Sequence, residues 1–261
     1  MRAPLLVFVL LVAAAAAAPA LAPYTPERID LSARREAPST AHLFGTDELG
    51  RDVFSRVIYG ARVSLAVGLF SAAVAGASGV AIGGIAGYAG GAVDAALMRA
   101  TDGMLAIPRL PLLMIAAVVL QPSIPWLIVL VGLAGWMETA RVVRAEFRSL
   151  GGAGFVECAR ASGASHGRVL LHHLLPNAAP AVAVSVTLAV ARGILLESAL
   201  SFFGVGVQPP QASWGNMLYQ AQATLATEPW LAIAPGVFIV MTTVAVNVAG
   251  DHLASRRSSE R

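Results

Sequence analysis

Long apolar runs constrain the fold of this chain more than any other feature. A helix needs about 20 apolar residues to cross a bilayer core of about 30 Å, and runs of that kind recur along most of the sequence. Charged residues make up only 13% of the 261 residues. An ordinary soluble domain carries about 25%. The pattern therefore predicts an all-α, polytopic membrane protein.

Six apolar runs are the candidate transmembrane helices. They cover residues 1–22 and about 62–88, 95–120, 124–139, 180–200 and 230–251. The first run also has the features of a secretory signal, because small residues follow its apolar stretch. We expect an extracytoplasmic segment at 23–60, a transmembrane domain at 61–251 and a tail at 252–261.

Six spans place both termini on one side of the membrane, together with the long loop 141–177. Five arginines of this loop and those of the tail fall on that side: Arg141, Arg144, Arg148, Arg160, Arg168, Arg256, Arg257 and Arg261. Cytoplasmic loops are enriched in basic residues, so the termini and the loop are predicted to be cytoplasmic. The arginines of segment 23–60 are an exception, and acidic neighbours balance them.

Composition also argues against several other functions. The formal net charge is +3, but every basic residue is an arginine and these flank apolar runs, which argues against nucleic-acid binding. Cys158 is the only cysteine, so an internal disulfide and a cysteine metal cage are excluded. Three histidines lie near it in sequence, yet no local carboxylate is placed to orient a base, and we expect no catalytic or metal site. No glycine-rich phosphate-binding loop is present, so ATP is not expected to bind this chain.

The loop between the fourth and fifth runs contains small residues at helical spacing. Ala159, Gly163 and Ala164 are predicted to lie close together on a helix, where small side chains let another backbone approach. Pro176 is expected to end this segment, because proline lacks the backbone donor that a helix requires.

This loop resembles the EAA loop of the permease subunits of ATP-binding-cassette (ABC) importers. Glu157, Ala159, Gly163, Leu175 and Pro176 keep the pattern of that loop. Two positions depart from it, a cysteine at 158 and a histidine at 173. In the family the loop forms a coupling helix that docks on the ATPase subunit. The resemblance assigns this role to Glu157, Ala159, Arg160, Gly163, Ala164, Ser165 and Pro176.

Two further stretches, residues 44–65 and 200–218, resemble signatures of the C-type permease of dipeptide, oligopeptide and nickel importers. The resemblance implies a type I importer permease in the bacterial inner membrane, with residues 1–22 retained as its first helix. It also implies four kinds of contact: a second, homologous permease; two cytoplasmic ATPases, which would bind the ATP and Mg; an extracytoplasmic binding protein; and membrane lipid. Candidate contacts with the binding protein are Asp47, Arg51, Asp52, Trp214 and Asn216.

Charged residues inside apolar runs are candidates for the pathway, because a charge there is costly and usually functional. Asp102, Arg109 and Glu197 are the predicted pathway or gate residues, although a structural role is also open to them. Arg99 and Asp102 have the spacing of an ion pair on one helix.

Several alternatives stay open. The glycines at 79, 83 and 87 predict close helix packing, either between subunits or within the chain. The substrate is a peptide or, as the alternative, nickel or another small solute. A standalone secondary transporter is the more remote alternative, and it would require intramembrane carboxylates.

Overall fold

The computed structural model describes residues 3–121 and 123–259, which fold almost entirely into helices. The α-helices are α1 (Ala3–Ala16), α2 (Ala18–Leu21), α3 (Val53–Ala89), α4 (Gly91–Ala106), α5 (Arg109–Leu120), α6 (Ile124–Leu133), α7 (Trp136–Leu150), α8 (Gly154–Ala161), α9 (His166–Arg168), α10 (Leu175–Phe202), α11 (Trp214–Ala221) and α12 (Trp230–Ser259). A π-helical turn, Val169–Leu174, joins α9 to α10. Two short 3₁₀ turns cover Leu31–Ala33 and Gln222–Thr224.

Helix α3 lies at the centre of the bundle and contacts α7, α10, α6 and α4. The side chain of Asp52 caps its first turn by accepting a hydrogen bond from the backbone N–H of Ser55 at 2.7 Å. The helix therefore begins at Val53, not near residue 62, and its 37 residues extend about 55 Å. Residues 53–60, which the sequence places outside the membrane domain, are the first turns of this helix.

The glycine stripe of α3 packs against α7 of the same chain. A Cβ atom at Gly83 would lie 2.2 Å from the carbonyl oxygen of Ala140, and one at Gly79 would lie 2.6 Å from the Cβ of Thr139. Gly87 faces the backbone of Arg144 in the same way. The sequence left open whether this stripe packs between subunits or within the chain. The structure shows packing within the chain.

Two of the predicted spans are broken. Helices α4 and α5 meet at 82°, where Ile107 and Pro108 adopt extended backbone. Pro108 cannot continue the helical hydrogen bonds, and the residue before a proline disfavours helix. Helices α6 and α7 meet at 45° around Ala134 and Gly135.

Pro176 does not end the segment before it, contrary to the sequence prediction. Residues His166–Phe202 form one continuous helical rod of 37 residues, and Pro176 lies in the first turn of α10. The π-helical turn widens the rod just ahead of it, with the N–H of Leu175 donating to the carbonyl of Leu170. A proline is tolerated where its missing donor has no helical partner to lose.

Within the described residues, three helices are long and apolar enough to cross a membrane: Val53–Ala89, His166–Phe202 and Trp230–Ser255. The two bent pairs raise that number to five if each is one span. The first apolar run forms the 14-residue helix α1, about 21 Å long, and then the short α2. Helix α1 packs on α12 and α3, so the run joins the bundle.

Candidate functional site

Helix α8 stands at one end of the bundle, and Val156 is its one fully buried residue. Val156 is fully buried in a cluster with Val143, Phe147, Val169 and Leu174, which belong to α7 and to the start of the rod. The helix is therefore fixed to both elements that enter the membrane domain.

The outer face of α8 is largely exposed. Phe155, Glu157, Cys158 and Arg160 are exposed there. The guanidinium of Arg160 lies over the ring of Tyr88 at 5.4 Å, which ties the helix to the end of α3. An exposed, rigidly mounted helix with an apolar and two charged side chains is suited to docking another protein.

A Schellman turn ends α8 and explains the glycine of the predicted coupling motif. The N–H of Ala164 donates to the carbonyl of Ala159, and the N–H of Gly163 donates to that of Arg160, both at 3.0 Å. Gly163 has φ +81°, a left-handed conformation that glycine adopts without strain. The side chain of Ser165 then caps the next helix by accepting from the N–H of Arg168.

This geometry corrects the packing predicted for the small residues. Gly163 lies in the turn after α8, so it does not share a helix face with Ala159. Ala159 and Ala164 are half-buried against the apolar cluster beneath α8, because the turn folds them inward. Glu157, Arg160, Gly163 and Ser165 are exposed, as is Pro176.

One face of α7 carries ion pairs to the neighbouring bent span. Arg141 pairs with Asp102 at 2.5 Å, and Arg144 and Arg148 both pair with Asp94. Asp102 therefore binds an arginine from another helix, and the expected pair with Arg99 is wrong. These contacts join α7 to α4, and α7 is the helix that immediately precedes α8.

A third pair lies beside both helix breaks. Arg109, the first residue of α5, donates to Oε1 of Glu138 near the start of α7. The Nη1 atom of Arg192 lies 3.8 Å from the same oxygen. Glu138 was not among the residues predicted from the sequence. Its position as a charged residue in the fourth apolar run could have identified it.

Glu197 is completely buried and faces no opening, so the structure does not support the pathway role predicted for it. Its carboxylate accepts from Ser64 at 2.9 Å and from Ser201 at 2.8 Å. Ser64 in turn accepts from the N–H of Trp214. A buried polar group requires such hydrogen bonds, and this network joins α3, α10 and α11.

Four of the five charged residues of segment 44–56 are also internal, and Glu48 is the exposed one. Asp47 accepts from Arg51 at 2.7 Å, and the guanidinium of Arg51 donates to Gln220, which connects the segment to α11. Asp47, Arg51 and Asp52 are each less than a tenth exposed. These three side chains stabilise this end of the bundle from its interior. They are not exposed for direct contact with the binding protein, although the sequence suggested such contact.

Trp214 and Asn216 follow the same pattern. The indole of Trp214 is fully buried and donates to the carbonyl of Val57 at 3.0 Å. Asn216 completes a capping box with Ser213 at the start of α11. Both were predicted to contact the binding protein. The indole of Trp214 instead seats α11 on α3, and the side-chain amide of Asn216 donates to the carbonyl of Gln211 at 2.7 Å, in the loop before α11.

Comparison with known proteins decides the family. The sequence model of the family described as "Binding-protein-dependent transport system inner membrane component" matches residues 79–259. The chain belongs to this family. It is a permease subunit of an ABC importer and an inner-membrane component, as its signatures indicated.

Individual relatives agree with this assignment. The dipeptide transport system permease protein of Bacillus subtilis is 38% identical over 96% of this chain and 79% of its own length. The glutathione transport system permease protein of Escherichia coli is 39% identical over 94% and 81%. A Brucella suis protein that carries the name of a peptide permease is 40% identical over 88% and 77%.

A solved structure supports the fold. The inward-facing methionine ABC transporter MetNI matches with a TM-score of 0.63, over 78% of this chain and 96% of that one, at 19% identity. The all-α importer-permease fold predicted from the sequence is confirmed.

Proposed function

We propose that this permease imports peptides, forming the translocation path together with a second, homologous permease. The names of the relatives support the substrate class, since dipeptide and oligopeptide permeases are 38% and 36% identical to this chain. Two cytoplasmic ATPases bind the ATP and Mg, and an extracytoplasmic binding protein delivers the peptide. This chain itself catalyses no reaction.

The observation that carries the coupling role is the mounting of α8. Its outer face is exposed, while Val156 fixes it to α7 and to the rod His166–Phe202. A movement of an ATPase docked on α8 is therefore transmitted into two membrane-crossing elements. The state of the ATPase and the orientation of the pathway then share one conformational equilibrium.

The same docking fixes the orientation. With α8 in the cytoplasm, the rod ends at Phe202 on the opposite side, where the segment 44–52 and α11 face the binding protein. Both termini lie on the cytoplasmic side in this orientation. The exposed arginines around α8 agree with it.

The test uses the only cysteine of the chain. Cys158 is exposed on the outer face of α8, so a thiol-directed photo-cross-linker placed there should capture the ATPase in native membranes. The matched control removes Cys158 and introduces Ser255→Cys, an exposed position at the end of the apolar part of α12. We expect the ATPase to be captured from position 158 and much less from position 255.

Uptake then distinguishes the substrates. Complexes purified with their ATPases are reconstituted with the binding protein and given radiolabelled dipeptides or nickel. Peptide uptake that depends on ATP supports the proposal. Nickel uptake without peptide uptake overturns the substrate, and uptake that needs no ATPase points to a standalone transporter.

A further inference from the structure

Three charged side chains meet halfway along the bundle. Arg109, Glu138 and Arg192 come together beside a crevice lined by Ser71 and Ala75 of α3. Ser71 is the middle residue of the helix Val53–Ala89, which is longer than a bilayer core is thick. The cluster therefore lies near the middle of the membrane.

The cluster carries an excess positive charge. Two guanidiniums share the single carboxylate of Glu138, which leaves one net positive charge. Charged side chains at this depth face a water-filled cavity or the interior of a bundle, because exposure to lipid is costly. Yet 39% of the Arg192 side chain and 22% of that of Arg109 are exposed on this chain. The face of the bundle that carries these two arginines therefore lines the pathway or contacts the second permease beside it.

Arg192 has donors to spare. Its nearest contact to Glu138, at 3.8 Å, is too long for a hydrogen bond. Within residues 3–121 and 123–259, its guanidinium makes no hydrogen bond to another side chain or to the backbone. Arg109, by contrast, is held by Glu138. A guanidinium presents a planar fork of donors that matches the two oxygens of a carboxylate.

We propose that Arg192 binds the terminal carboxylate of the peptide as it passes the middle of the membrane, with Glu138 and Arg109 as positioning residues. The inference rests on the proposed function, because it requires a peptide in the path. It makes Arg192 a specificity-determining residue of the permease, in addition to any selection by the binding protein. The competing occupant of this site is an acidic side chain of the second permease.

The experiment compares a peptide acid with its C-terminal amide, a pair chosen so that the unaltered complex imports both. Import is measured in proteoliposomes that contain both permeases and the ATPases, with the binding protein in excess. The variants are Arg192→Gln, Arg192→Lys and, as the matched control, the exposed Arg99→Gln. Preferences of the binding protein cancel, because only the acid-to-amide ratio is compared between variants.

We expect Arg192→Gln to lower the ratio of the import rate of the peptide acid to that of its amide about tenfold. Loss of one hydrogen bond to a charged group has an effect of about this size. Arg192→Lys retains the charge without the fork and should recover part of the ratio. Arg99→Gln should leave it unchanged.

Three results are distinguishable from this one. An equal fall in both substrates overturns the carboxylate site and leaves peptide import standing. Loss of the second permease from the purified Arg192→Gln complex assigns Arg192 to the subunit contact instead, and it also overturns the site. Failure of the unaltered complex to import any peptide refutes the proposed function itself.

Discussion

At the scale of single residues, Gly163 shows how a backbone requirement and the proposed docking surface coincide. Its φ of +81° excludes most side chains on conformational grounds, while no heavy atom of the described residues, its two chain neighbours aside, lies within 4 Å of where a Cβ would be. Substitutions there can therefore separate backbone strain from bulk.

We expect Gly163→Ala to cost about 1 kcal/mol through the left-handed conformation and to weaken ATPase binding moderately. Gly163→Trp adds bulk to the exposed turn and should abolish transport while the protein still inserts. Gly167→Ala, the same change at a position with open space and no such φ, is the control. Membrane insertion, bound ATPase and peptide uptake are measured for each variant. Normal transport by Gly163→Trp would contradict the docking role.

Glu197 shows that the surroundings of a charged residue cannot be inferred from its position in the sequence alone. A carboxylate near the end of an apolar run is expected to face a pathway, but this one is enclosed by serines from two elements. Ser64 lies 133 positions away in the chain, so the partner that satisfies Glu197 is supplied only by the tertiary fold. Asp47 and Arg51 are hidden for the same reason.

At the scale of elements, the glycine stripe of α3 sets how closely α7 approaches. Gly83 touches the backbone of Ala140, which cannot move aside as a flexible side chain can. We expect Gly83→Ala to destabilise the bundle by about 1–3 kcal/mol, the usual effect of overpacking. Gly103→Ala, in a helix with open space, should be neutral or stabilising. Thermal unfolding in detergent compares the two, and equal melting temperatures would refute the close-packed contact.

The sequence predicts the existence of these elements better than their ends and breaks. Apolar runs locate the helices, because crossing a bilayer demands both length and composition. The 82° break at Ile107 and Pro108 and the uninterrupted rod through Pro176 are both proline sites with opposite outcomes. The two sites differ in whether the adjacent turns can change their hydrogen bonding to compensate for the N–H that proline lacks. This depends on the packing around each site.

At the scale of the whole molecule, ion pairs connect α7, the helix that precedes α8, to the broken span α4–α5. Asp94 is 5% exposed and binds Arg144 and Arg148, whereas the pair of Asp102 and Arg141 is largely exposed. Exposed pairs contribute little to stability, and two arginines around one shielded carboxylate contribute more. If movement of α8 reaches α4 through these contacts, the shielded pair is the one that matters for coupling.

We therefore expect Asp94→Asn to lower the melting temperature by several degrees and to reduce the peptide imported per ATP hydrolysed. Asp102→Asn, the matched change on the same helix, should leave both close to their original values. Both quantities are measured on the reconstituted complex, so that a loss of coupling is separated from a loss of assembly. Equal behaviour of the two variants would contradict this role of Asp94, and it would leave the packing of α7 against α3 and α10 as the route of transmission.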